Sequence, residues 1–182
     1  MKLFGIGRRV IFPYSLSLFL FFRAQIPRMK SVTIYTDGGA RGNPGPGGYG
    51  AILKFGQHRK EANGAFKHTT NNRMELMAVI SALEMLNESC AVTLHSDSKY
   101  VIDALTKNWL KGWKKRGWVK SDKKPVLNKD LWQRLDAAAD PHSMTWKWVK
   151  GHANERCDEL VHEAIDTGNL QVDQGYLEQK NS

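Results

Sequence analysis

Thr33-Ile34-Tyr35-Thr36-Asp37-Gly38-Gly39-Ala40-Arg41-Gly42-Asn43-Pro44-Gly45-Pro46-Gly47-Gly48-Tyr49-Gly50 is the stretch on which the fold turns. Residues 32–37 alternate and are rich in β-branched side chains, which reads as a strand ending at an acid, Asp37. Seven of the thirteen residues from Gly38 to Gly50 are glycine, which reads as a tight turn. Residues 49–55 and 61–66 read as two further strands, so the first three strands form a meander.

Outward from this stretch the pattern changes period. Leu76, Val79, Ile80, Leu83 and Leu86 recur at helical spacing, so 70–87 is expected to be a helix capped by Thr69 or Thr70. A strand over 91–97, a short helix over 98–105, a basic aromatic segment over 109–118 and a helix over 127–139 follow. A strand over 144–149 and a helix over 154–165 complete the body. The tail from Asp166 is polar and is expected to fray. This order implies an α/β domain: one mixed sheet flanked by helices.

Three more acids stand in telling contexts: Glu75 in Thr-Thr-Asn-Asn-Arg-Met-Glu, Asp97 in Ser-Asp-Ser, and Asp158 in Asn-Glu-Arg-Cys-Asp-Glu-Leu. Each alone has an ordinary use. Asp37 and Asp97 suit strand-end turns, and Glu75 and Asp158 suit the first turns of helices. Four such acids on a basic chain are better explained by convergence on hard divalent cations, for which oxygen ligands are suited.

Net charge is +9 over 182 residues, which points to a polyanionic partner. Residues 1–28 carry five of the cations and no acid, and 107–129 holds nine Lys or Arg against one acid, Asp122. The basic character of the body is therefore a local patch. Cys90 and Cys157 form no Cys-x-x-Cys pair, so neither a zinc site nor a disulfide framework is suggested, and two free thiols fit a reducing, cytoplasmic location. The glycine-rich loop lacks a Gly-Lys-Ser/Thr ending, which argues against an ATP-binding P-loop. The apolar run 10–22 is shorter than the roughly 20 residues a membrane span needs. It resembles a signal peptide without its cleavage site. The preferred reading is that Met29 is the physiological start, with a targeting or tethering segment as the alternative.

Strings in this order are similar to those of the bacterial type 1 ribonucleases H (ribonuclease HI). They are Tyr35-Thr36-Asp37-Gly38, 42–53, 69–78, Trp113-Lys114-Lys115-Arg116-Gly117-Trp118, 122–126, 130–138, Trp148-Val149-Lys150-Gly151-His152-Ala153 and 154–160. The resemblance covers nearly all of 31–165. It implies a ribonuclease H-like fold with a five-stranded mixed sheet, the domain spanning 29–166 between an extension, 1–28, and a tail, 167–182. It also implies hydrolysis of the RNA strand of RNA–DNA hybrids to 5′-phosphate and 3′-hydroxyl ends, with two Mg²⁺ ions, for which Mn²⁺ substitutes. Two metals about 3.5–4 Å apart activate water and stabilise the leaving oxyanion. By the same resemblance Asp37 bridges both ions, Glu75 and Asp97 complete one site, and Asp158 the other.

His152 matches the family's loop histidine, a proton shuttle in product release. Here the loop is shorter than in many relatives, and His152 precedes Asp158 by only six residues. Asn43, Asn71 and Asn72 match minor-groove residues that sense the 2′-hydroxyl, and Thr70 a pocket for a DNA phosphate. In that pocket His68 replaces a common arginine and Gly112 a common asparagine. Trp109, Trp113, Lys114, Lys115 and Arg116 match a basic protrusion that grips the hybrid, with at least one indole expected to be buried and the cations outward. The remaining histidines, His162 among them, read as surface or packing residues. No small-molecule cofactor beyond metal and no membrane partner is expected, and a monomer is the default. The rival readings are a hybrid-binding module without catalysis, and another nuclease of the same superfold.

Overall fold

The computed structural model describes residues 29–151 and 155–181. Five strands form one sheet: β1 (Lys30–Ala40), β2 (Gly45–Phe55), β3 (His58–Thr69), β4 (Cys90–Ser96) and β5 (Ser143–Trp148), in the order β3-β2-β1-β4-β5. The first three are antiparallel neighbours, and β4 and β5 run parallel to β1. The helices are α1 (Asn71–Glu84), α2 (Lys99–Thr106), α3 (Trp109–Lys115), α4 (Lys129–Ala139), α5 (Glu155–Asp166) and α6 (Gln174–Asn181).

Alternation in the strands sorts side chains to two faces. Val32 and Ile34 of β1 and Ala51 and Leu53 of β2 join the main core with Met74, Leu76 and Ile80 of α1 and Trp132 and Leu135 of α4. Ile52 points the other way, to Cys157 and Leu160 of α5. Ala65 meets Val161, Ala164 and Ile165 on that same side. Among the described residues α1 is buried almost all round, which is why nine of its residues, Arg73 included, are inaccessible.

The glycines are not a turn. Of the seven, only Gly42 lies in the loop between β1 and β2, with φ 87°. The other six sit in strands, and helices rest directly upon three of them, Gly38, Gly48 and Gly50. A Cβ at Gly38 would overlap the backbone of Met74 and Glu75, and one at Gly50 would overlap the Cys157 carbonyl. At Gly48 it would stand 2.9 Å from the Val161 carbonyl oxygen. The meander strands therefore run longer than the alternation alone implied.

The tail does not fray. Gln171 accepts from Lys67 N–H (2.9 Å) and donates to the Ala65 carbonyl (2.8 Å), lying along β3. Asp173 is buried and accepts from Arg73 Nε (2.7 Å), Arg73 Nη2 (2.7 Å) and Thr69 Oγ1 (2.6 Å). It also accepts the Tyr176 N–H at 3.1 Å, capping α6. Arg73, 2% exposed, completes its fork on Asp130 at 3.0 and 2.7 Å. Burial alone would lower the Arg73 pKa, but Asp130 and Asp173 together raise it above its ordinary value. A polar tail is thus held by the one cation that α1 buries. With Thr69 so engaged, Thr70 takes the N-cap position of α1, and its hydroxyl makes no cap bond.

Replacing Asp173 by Ala leaves part of a buried guanidinium unpaired. The expected loss is about 3–5 kcal/mol, as for one partner removed from a buried ion pair. Urea unfolding of Asp173→Ala against the parent checks it, with Asp173→Asn expected to lose less.

Candidate active site

The register of β1 and β4 places the site. Thr36 pairs with Ser96 in the parallel ladder, so the next residues, Asp37 and Asp97, emerge side by side at the carboxyl ends of adjacent strands. Such ends are where open α/β sheets bind ligands. Gly38, beside Asp37, is where α1 touches β1, and this brings Glu75 in from above. Gly50, the cross-strand partner of Asp37, is where α5 touches β2, one residue before Asp158.

Asp37, Glu75 and Asp97 each offer one carboxylate oxygen within 4.8 Å of the other two. Asp37 Oδ1 accepts the Gly38 N–H at 2.8 Å. Glu75 Oε2 and Asp97 Oδ1 are buried with no hydrogen-bond partner. Burial first, then the charge of Asp97, pushes the Asp37 pKa up to about 6, against a smaller lowering by the Gly38 N–H. Burial, then Asp37 and Asp97, raises Glu75 well above the usual carboxylate range. Buried acceptors without donors, in a cluster of repelling carboxylates, are the donor set a hard divalent cation would satisfy. Asp158, in the first turn of α5, is 63% exposed and stands outside this triad, close enough for its charge to raise Asp37.

His152 lies outside the described residues. The residue before it, Gly151, is described, and a Cβ there would meet Asp97 Oδ2 at 3.2 Å. Asn43, Asn71 and Asn72 are exposed beside the triad. Asn71 Oδ1 accepts the Ala40 N–H (2.7 Å) and Asn43 Oδ1 accepts the Asn71 N–H (3.2 Å), so both amide oxygens face the protein and the NH₂ groups are the ends left for a ligand. Thr70 is half-buried next to Asn71. His68 is exposed, with its ring edge against Tyr176.

The basic segment forms α3 and the turn after it. Trp113 packs on the buried Trp132 at 5.3 Å, while Trp109 is 43% exposed beside it. Lys114 pairs with Asp136 at 2.6 Å, and Arg116 Nε donates to the Val119 carbonyl at 3.1 Å. Lys115 is exposed. The cations face outward as expected, but no indole of the segment is fully buried: Trp113 and Trp118 are half-buried against the core.

Two contributors escaped the sequence reading. Trp148 Nε1 donates to the Asp97 carbonyl at 3.0 Å and so braces that acid from β5. His162 lies 3.5 Å from Asp158. Its position four residues after Asp158, on the same helix face, was the available signal.

This geometry agrees with the comparisons. The RNase H family model matches residues 29–166. A Ribonuclease H of Shewanella amazonensis is 57% identical over 152 residues, 81% of this chain and 97% of that protein. The crystal structure of LC9-RNase H1, described as a type 1 RNase H with the type 2 active-site motif, matches at TM-score 0.70 and 30% identity over 87% of this chain and 84% of that one. LC11-RNase H1, solved in complex with RNA/DNA hybrid, matches at TM-score 0.60 and 30% identity over 75% and 98%. The chain belongs to the ribonuclease H family. It is a hydrolase whose reaction is cleavage of the RNA strand in an RNA–DNA hybrid, and the family uses divalent metal; the acidic triad is a group that could hold such an ion.

Because the Asp37 pKa is raised on folding, the native state holds its proton more tightly than the unfolded chain. That contribution is full below pH 3.8 and is lost as pH rises through about 6. In EDTA, Asp37→Asn is therefore expected to be more stable than the parent by about 1–3 kcal/mol, at 1.36 kcal/mol per pKa unit. Thermal melting should show a larger gain at pH 8 than at pH 4.

Proposed function

We propose that the RNA strand is cut at the carboxylate cluster with two Mg²⁺ ions, Mn²⁺ substituting. Asp37 would serve both ions, Glu75 and Asp97 would hold one, and Asp158 would hold the other. The observation that carries this is the pair of buried oxygens, Glu75 Oε2 and Asp97 Oδ1, that no protein donor satisfies. When bound, such a pair of ions activates water and stabilises the leaving oxyanion, giving 5′-phosphate and 3′-hydroxyl ends.

The chain's own residues do the rest. The NH₂ groups of Asn43 and Asn71, fixed by their oxygens, with Asn72 beside them, contact the minor groove where the 2′-hydroxyl distinguishes RNA. The uncommitted Thr70 hydroxyl is free to bind a phosphate of the DNA strand. Lys114, Lys115 and Arg116 meet phosphates further along, and Trp109 packs on the sugars, while Trp113 anchors the segment to Trp132. His152 moves the proton that accompanies product release.

Residues 29–166 form the catalytic domain, with 167–182 as its strap and 1–28 as a dispensable extension. Both cysteines are unpaired, which fits a reducing compartment, and we assign a cytoplasmic monomer acting on the hybrid with no other partner. Among the described residues no helix is long and apolar enough to cross a membrane.

Labelled RNA–DNA hybrid, duplex DNA, duplex RNA and single-stranded RNA are to be incubated with the protein in Mg²⁺, Mn²⁺ or EDTA. Cutting of the hybrid's RNA strand alone, in metal alone, is expected. Asp37→Asn should lose more than about 10³-fold, beyond the 10–100-fold typical of an outer-shell residue. The protein beginning at Met29 should match the full chain. A folded protein that binds the hybrid and cuts it with neither metal would mean a binding module instead.

A further inference from the structure

The catalytic reading leaves one cluster on α5 unused. His162 Nε2 lies 3.5 Å from Asp158 Oδ1. On the other side of the ring, Arg41 Nη2 lies 3.5 Å from His162 Nδ1. Arg41 Nη1 in turn pairs with Asp166 Oδ1 at 2.5 Å. A guanidinium only donates, so Nδ1 is the acceptor and the ring hydrogen sits on Nε2, the nitrogen that faces Asp158. Arg41 is itself fixed, because its backbone N–H donates to the Pro46 carbonyl at 2.7 Å and closes the loop between β1 and β2. Asp166, Arg41, His162 and Asp158 form a continuous polar chain from the loop behind Asp37 to the rim of the site.

Asp158 needs such a partner more than the other acids do. Glu75 and Asp97 are held by burial, and Asp37 by the Gly38 N–H. Asp158 is 63% exposed, and among the described residues His162 is the side chain beside its carboxylate. An exposed carboxylate free to rotate gives up orientational freedom when it becomes a ligand, whereas one already oriented gives up less.

We propose that His162 is a positioning residue for Asp158. Its Nε2 faces Oδ1 at 3.5 Å and biases the carboxylate to present Oδ2 as the ligand atom, which would raise the affinity of the site for the divalent ion that Asp158 would hold. This rests on Asp158 being a metal ligand. Outer-shell partners of metal ligands typically contribute 10–100-fold in affinity or activity. The His162 contact is long and exposed, so a contribution of about 3- to 10-fold is expected, at or below the lower end of that range.

The test uses the full chain and Mn²⁺ as probe, with binding followed by calorimetry and hybrid cleavage followed against Mg²⁺ concentration. His162→Ala should weaken Mn²⁺ binding about 3- to 10-fold and raise the Mg²⁺ needed for half-maximal cleavage by the same factor. At saturating Mg²⁺, kcat and the KM for hybrid should be unchanged, as should the melting temperature in EDTA. His162→Gln, which keeps an N–H donor, should recover most of the loss. Wild-type Mn²⁺ affinity in a folded His162→Ala overturns the proposal. So does a weakening that comes with a lower melting temperature and is not recovered by Gln. Asp158→Asn separates the layers. If it binds Mn²⁺ as tightly as wild type, Asp158 is not a ligand and the proposal falls with that assignment. If Asp158→Asn is impaired and His162→Ala is not, the role of His162 alone is refuted.

Discussion

Direct contact between backbones at Gly38 and Gly50 is the constraint on which the site depends. The two glycines lie on neighbouring strands next to Asp37 and receive helices on opposite faces of the sheet. At Gly38 the second turn of α1 rests on β1, and at Gly50 the first turn of α5 rests on β2. A side chain at either place would lift a helix away and take Glu75 or Asp158 with it. The acids come from four elements far apart in sequence, and they converge because two side chains are missing.

Convergence of like charges opposes folding, and the rest of the domain must supply the excess. Trp132, Ile34, Leu76, Ile80 and Leu94 are among the fully buried side chains, each contributing about 1.5–3 kcal/mol on burial. Against that background a raised Asp37 and Glu75 are tolerable. The helix that carries Glu75 is also held two residues earlier by Arg73, whose guanidinium is divided between Asp130 of α4 and Asp173 of the tail. A strained anionic cluster and a satisfied cationic one thus share a single helix. Charge repulsion is concentrated at the first and stability at the second, the usual division where a site is unfavourable in the absence of its ligand.

Much of this was legible before any coordinates. The sheet and helix order followed from a change of hydrophobic period, and Asp37, Glu75 and Asp97 stood out as acids at element ends. What could not be read shares one cause, the dependence on partners remote in sequence. The glycines of 38–50 looked like a turn because glycine marks both turns and close approaches, and only the positions of α1 and α5 tell them apart. The tail looked frayed because its residues are polar, and the need of Arg73 for Asp173 is invisible across 100 residues. His162 seemed an ordinary surface histidine until Asp158 and Arg41 were seen on either side of it. Of the two threonines expected to cap α1, Thr70 takes the position, and the Thr69 hydroxyl is taken by Asp173 for the same reason.

That same separation between Arg73 and Asp173 bears on how the protein is made. A ribosome that has just synthesised α1 has produced a cation destined for the interior without either carboxylate that will neutralise it. Asp130 arrives 57 residues later and Asp173 100 residues later. Until then, burying α1 means desolvating a bare guanidinium, and the emerging chain has reason to leave that helix in water. The sheet can begin to pair during synthesis, but the helix that brings Glu75 to Asp37 has both partners of its buried cation only once Asp130 and Asp173 have been made.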